Sequence, residues 1–198
     1  MEKEKTSSYR FFRSILMPLF NKHYKTIIIG KENIPDSGPI IVCGNHIHAF
    51  DQCLPISATK RMIHYMAKKE YFDGKMAWFF KMAGCIPVDR SKKDENATKK
   101  ALEVLNNGFA LGLFPEGTRN KTKEFLLPFK FGTVSMAKKT NATIVPFGLT
   151  GDYKFRSKNL TIRFGKPYKI TEDLETENKK LEQKVAELMK ESLKNSGK

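Results

Sequence analysis

An α/β domain is the fold class this sequence predicts, on three observations: seven short runs of β-branched and apolar residues, longer stretches of helical periodicity among them, and a length of 198 residues that suits one core and is short for two. The runs at 26–30, 40–44, 63–66, 85–88, 109–114, 144–148 and 160–164 read as strands. Residues 70–83, 95–106 and 132–140 read as helices. From Leu174 onward, Leu181, Val185, Leu188 and Met189 recur at helical spacing among Glu and Lys, which predicts a closing surface helix. The expected architecture is a single-domain sheet sandwich flanked by helices, with an amphipathic helix at the N-terminus. Only residues 2–5 and 195–198 read as loose ends.

In the N-terminal helix, Phe11, Ile15 and Leu19 form one row and Phe12, Leu16 and Phe20 the next, while Arg10, Ser14 and Asn21 lie opposite. Pro18 predicts a kink or a break between two short helices. Aromatic residues beside Arg and Lys, followed by Lys22, His23 and Lys25, fit a helix lying in the headgroups of an anionic membrane. The alternative is a helix packed on the protein's own core. A spanning helix needs ~20 mostly apolar residues. The best N-terminal run, 14–21, is closed by Arg13 and Lys22 and contains Pro18, so neither a transmembrane span nor a signal peptide is expected. The expected location is peripheral, on the cytoplasmic face of a membrane.

The formal charge of +15, from 36 Lys and Arg against 21 Asp and Glu, attracts polyanions of several kinds. No aromatic-basic RNA motif or zinc-finger spacing accompanies it, so nucleic acid is not the expected partner. Cys43, Cys53 and Cys85 are an odd number without C-x-x-C spacing, which suggests neither a disulfide framework nor a structural zinc site.

The run 40–43 reads as a buried strand, and Gly44-Asn45-His46 leaves it, so the His46 imidazole falls at a strand's carboxyl end, where α/β sheets bind ligands. Residues five apart on one regular helix diverge by ~140°. His46 and Asp51 can therefore meet only across a loop-to-helix junction, with Asp51 expected in the first helical turn, where the dipole favours a carboxylate. A carboxylate there holds the imidazole in one tautomer and stabilises the imidazolium. A metal-dependent hydrolase with His46, His48 and Asp51 as ligands is the rival reading, although the spacing departs from the His-x-His-x-Asp-His signature at two points. A Cys43 or Cys53 nucleophile is a third.

The segment Phe114-Pro115-Glu116-Gly117-Thr118-Arg119 ends another strand in a tight turn, with Gly117 allowing close backbone approach. Arg119 presents a planar fork suited to phosphate oxygens, and Arg90, after 84–89, presents another. Taken singly, each arginine is better explained by a surface salt bridge, Arg90 with Asp89 and Arg119 with Glu116. The stretch 76–82, rich in Met and aromatic residues, reads partly as core and partly as an acyl groove or membrane contact.

Four blocks in order carry a resemblance: Asn45-His46 with Asp51, residues 84–90, residues 114–119, and Ile144-Val145-Pro146-Phe147-Gly148. Together they resemble the glycerolipid acyltransferase family, in particular its 1-acylglycerol-3-phosphate acyltransferases. The resemblance implies a glycerol-3-phosphate acyltransferase-like fold over residues 26–198, with 1–25 as a membrane-contacting segment. It implies His46 as general base and Asp51 as its orienter. Arg90, Glu116, Gly117 and Arg119 would hold the glycerol phosphate, with Lys68 near the same pocket, while Pro146 and Gly148 would shape its wall. The implied co-substrate is an acyl-CoA or acyl carrier protein thioester, and the acceptor a lysophospholipid, with no metal and no bound cofactor. Another lysophospholipid or glycerol 3-phosphate is the alternative acceptor. One departure stands out: His48 occupies a position where the family often has Ser.

Overall fold

The computed structural model describes residues 6–91 and 94–196. Seven strands form one sheet: β1 (Ile27–Ile29), β2 (Ile40–Gly44), β3 (Ile63–Lys68), β4 (Ile86–Val88), β5 (Ala110–Leu113), β6 (Thr143–Thr150) and β7 (Thr161–Phe164). Their order across the sheet is β1-β7-β6-β2-β5-β3-β4, and all neighbours are parallel except β6 and β7. Each of the seven apolar runs is a strand. Among the described residues six α-helices flank the sheet: α1 (Ser7–Tyr24), α2 (Cys53–Ala58), α3 (Ala77–Met82), α4 (Glu95–Asn106), α5 (Gly132–Thr140) and α6 (Leu174–Ser196).

Side-chain alternation along the strands divides the core in two. Ile41, Cys43, Leu111 and Ile144 face α4, α5 and α6, whereas Ile40, Val42, Ile63, Val145 and Phe147 face the side of α2 and the end of α1. The closing helix α6 inserts Leu181 and Val185, both fully buried, and each such side chain contributes about 1.5–3 kcal/mol of burial free energy. Gly148 lets α6 approach β6, since a Cβ there would stand 2.7 Å from the Met189 amide.

Several local expectations are corrected. The helix α1 runs through Pro18 without a break. Ser14, four residues earlier, is exposed, so solvent can reach the carbonyl that Pro18 leaves without a donor. The stretch 70–83 is not one helix: a 3-10 turn over Lys69–Phe72 ends before Gly74, and α3 starts after it. Asp73-Gly74 is a turn signal that outweighs the surrounding periodicity. Residues 195 and 196 continue α6, while 197–198 and 2–5 lie outside the described residues. Among the described residues, no helix is long and apolar enough to cross a membrane.

The two apolar rows of α1 have different fates. Phe11, Ile15 and Leu19 are 61%, 46% and 58% exposed, whereas Phe12 and Leu16 line a cavity and Phe20 packs on the core. The helix is pinned to α2 by Arg13, whose guanidinium donates to the carbonyls of Ile56 (2.9 Å) and Ser57 (3.2 Å).

After β2 the chain leaves toward α2 on one face, and after the adjacent β5 it leaves toward α5 on the other. A crevice opens where neighbouring parallel strands part in this way.

Candidate active site

His46 follows β2 by two residues. Its Nδ1 lies 2.7 Å from Asp51 Oδ2, and since a carboxylate only accepts, Nδ1 carries the hydrogen and Nε2 keeps a lone pair. The same Oδ2 accepts the backbone N–H groups of Ile47 (2.6 Å) and His48 (2.8 Å), and Oδ1 accepts the Tyr153 hydroxyl (2.6 Å). Asp51 is fully buried. It precedes α2 rather than lying in its first turn, so the expected dipole is replaced by direct N–H donors from the loop that the carboxylate closes. Burial first, and then the adjacent Asp51 carboxylate, push the Tyr153 hydroxyl well above a tyrosine's ordinary value, which keeps it a donor.

A second carboxylate holds the backbone of His46. Glu116 Oε1 accepts the His46 N–H at 2.6 Å and Oε2 accepts that of Leu127 at 3.0 Å, while the Asn120 N–H donates to the His46 carbonyl at 2.6 Å. Glu116 is 3% exposed, so its two oxygens serve the loops on either side. Burial pushes its carboxyl above the usual range, against the pull of those donors. Phe114 stacks on the imidazole at 4.0 Å with the rings 12° from parallel. Asn45 completes the seat, exchanging two hydrogen bonds with the Leu149 backbone, at 3.0 and 2.7 Å.

A cavity of about 280 Å³ opens beside this pair. His46, Lys68, Arg90 and Arg119 all line it. The reason is topological: β2, β5, β3 and β4 are consecutive across the sheet, and the four residues stand at or just beyond their carboxyl ends. Among the described residues none of the three cations makes an ion pair, so the salt bridges that would explain either arginine away do not form. Gly117 has φ +71°, the left-handed turn that carries the chain from Glu116 toward Arg119. Much of the apolar part of the cavity comes from α1 (Phe12, Leu16, Met17) and α3 (Phe79, Phe80, Met82), with Ile56, Met66 and Phe114 also lining it. The stretch 76–82 is thus divided, with Met76 and Trp78 more than half exposed. Pro146 and Gly148 are not part of the wall.

The rival chemistries find less support. The His48 ring stacks on Tyr153 at 4.1 Å, and among the described residues no three His, Cys, Asp or Glu side chains gather as metal ligands would. Burial pushes both candidate thiols up, Cys43 well above a thiol's ordinary value and Cys53 to about 12, far from the thiolate range near neutrality. Sequence reasoning missed Tyr153 altogether, and it named Phe114 in its block without the stacking on His46. Tyr153 belongs to no motif, and its link to Asp51 spans 102 positions.

Residues 25–150 match the family model described as Acyltransferase. The chain is 30% identical over 165 residues to the 1-acyl-sn-glycerol-3-phosphate acyltransferase of Bacillus subtilis, which covers 80% of this chain and 81% of that protein. It is 33% identical over 144 residues to the protein of that name from Borreliella burgdorferi, covering 71% of this chain and 57% of the relative. Its fold matches the crystal structure of the 1-acyl-sn-glycerophosphate (LPA) acyltransferase, PlsC, from Thermotoga maritima, with TM-score 0.73 at 22% identity, over 92% of this chain and 82% of that one.

Proposed function

The chain belongs to the acyltransferase family and is an O-acyltransferase, and from that premise we propose that it moves a fatty acyl group onto the free hydroxyl of 1-acylglycerol 3-phosphate, giving phosphatidic acid. The observation that carries this reading is the common cavity of His46, Lys68, Arg90 and Arg119, which sets a base beside three cations that make no ion pair among the described residues. His46 Nε2 takes the hydroxyl proton as the oxygen attacks the thioester carbonyl of acyl-CoA or acyl carrier protein. The tetrahedral intermediate collapses, the thiolate leaves, and the imidazolium returns a proton. Asp51 keeps the ring in the reactive tautomer throughout. Such a transfer needs no metal and no bound cofactor, because the thioester brings an activated carbonyl.

Arg119, Arg90 and Lys68 hold the acceptor phosphate, Arg119 and Arg90 through bidentate contacts. Glu116 and Gly117 act by shaping the turn that presents Arg119. The acyl chain lies along the apolar wall made by α1 and α3. Residues 1–25 form the membrane-contacting segment and 26–198 the acyltransferase domain, with Phe11, Ile15 and Leu19 entering the headgroup region on the cytoplasmic face. Purified protein should form phosphatidic acid from 1-acylglycerol 3-phosphate faster than it acylates glycerol 3-phosphate or lysophosphatidylcholine, in a panel run with both donor types. No transfer to any phosphate-bearing acceptor would sink the reading. Binding to anionic vesicles should weaken with salt.

A further inference from the structure

Asp51 has two oxygens with different duties. Oδ2 faces the His46 ring and two backbone N–H groups, whereas among the described residues Tyr153 is the one donor to Oδ1. Tyr153 stands in the loop between β6 and β7, and its ring is held on both sides: it stacks on His48 at 4.1 Å and meets the edge of Tyr24, the last residue of α1, at 5.5 Å and 77°. The loop is tied to α1 again by the Arg156 N–H on the His23 carbonyl, at 2.8 Å.

We propose that Tyr153 is a third, positioning member of the His46–Asp51 pair, with His48 as its platform and Tyr24 as its buttress from α1. The proposal rests on the acyl-transfer reading above. Tyr153 does not touch the reacting atoms. Its hydroxyl fixes the rotation of the Asp51 carboxylate so that Oδ2 faces Nδ1, and it draws charge toward Oδ1, which lowers the pull of Asp51 on the imidazole proton. His48 thereby acquires a role: its N–H donates to Asp51 and its ring carries Tyr153. The other titratable groups near His46 are Glu116, which holds its backbone, and those that share its cavity, Cys53, Tyr65, Lys68, Cys85, Arg90 and Arg119, with Tyr9, Arg13 and Tyr71 along the wall; among the described residues none of these hydrogen-bonds the Tyr153 hydroxyl, which donates to Asp51.

The test is Tyr153→Phe, which keeps both ring contacts. The expected result is a fall in kcat of about ten- to a hundredfold, the size set by losing a hydrogen bond to a charged group, with KM for donor and acceptor unchanged. The acidic limb of the pH profile should move to higher pH, because Asp51 without its second donor holds the imidazolium more tightly. The Nδ1–H proton resonance of His46 should shift as well. Tyr24→Ala should produce the same signature at smaller size. Wild-type kcat and an unmoved acidic limb in a folded Tyr153→Phe protein would overturn the proposal. So would a lower melting temperature with no change in limb or resonance. His46→Ala serves as the separate control: if it still transfers acyl groups, the functional reading fails, whereas if it is inactive while Tyr153→Phe is unaffected, only this inference fails.

Discussion

At the β2 end of the cavity every oxygen of Asp51 and Glu116 is committed to a donor, whereas at the β5–β3–β4 end Lys68, Arg90 and Arg119 have no ion-pair partner among the described residues. The committed end is buried and the cationic end is exposed. On the proposed acyl-transfer reading, the contrast separates two tasks. A general base must be held in one tautomer and one place before substrate arrives, and that is what buried, fully satisfied polar groups provide. A site for a dianion gains most if its cations find their counter-charge in the ligand. Perturbing the first end should therefore strike the chemical step, and perturbing the second should strike binding.

The largest effect is expected from Asp51→Asn, which presents an amide where the imidazole and two backbone N–H groups need an acceptor. Its kcat should fall by about 10⁴-fold, as for loss of the orienting carboxylate in a triad, with acceptor KM within a few-fold. Glu116→Ala follows. It strands the part-buried N–H groups of His46 and Leu127, each costing at most about 1–3 kcal/mol, so both the melting temperature and kcat should drop. If only acceptor KM rose, Glu116 would belong to the binding end instead. Arg119→Ala should leave kcat within a few-fold and raise acceptor KM by about ten- to a hundredfold; a pure kcat defect would break the comparison.

The smallest effect concerns pH and Asp94. The Asp89 backbone N–H, at 2.9 Å, and that of Ala97, also at 2.9 Å, hold its carboxyl below the ordinary value, so it both caps α4 and anchors the strand end that carries Arg90. A depressed folded pKa contributes stability that is present above the unfolded value, about 3.9, and is lost as pH falls through the folded one. Melting temperature should therefore drop between pH 5 and pH 2. Asp94→Asn, still a competent cap, should show a smaller drop; an identical acid profile would remove Asp94 from the account.

The placement of the cationic end was largely legible because its residues follow strands that announce themselves. Runs such as 40–44 and 63–66 are β-branched or apolar, and Lys68, Arg90 and Arg119 lie at or just past such runs. Helix α4 was legible to the residue because its pattern is regular, with Ala97, Ala101 and Leu105 keeping one face buried; its cap, Asp94, emerged only in the structure. The committed end was legible only in part. The His46–Asp51 spacing is local, so sequence shows it, but the donors that hold Asp51 come from a loop closed by Asp51 itself and from Tyr153, which the β6 crossover brings next to β2. Glu116 could be found but its direction could not, since nothing in Phe114-Pro115-Glu116-Gly117 states that the carboxylate turns inward to backbone N–H groups. Pro146 and Gly148 lie in a legible strand, yet no residue of β6 lines the cavity, and Gly148 is turned to the backbone of α6 instead.

The division between a chemical end and a binding end is tested most directly by the rate of phosphatidic acid formation by His46→Ala, at saturating donor and 1-acylglycerol 3-phosphate, on protein whose melting temperature matches wild type. The expected result is a loss of about 10²–10⁴-fold, the range for removing a general base, with acceptor binding retained. A rate within tenfold of wild type would contradict it.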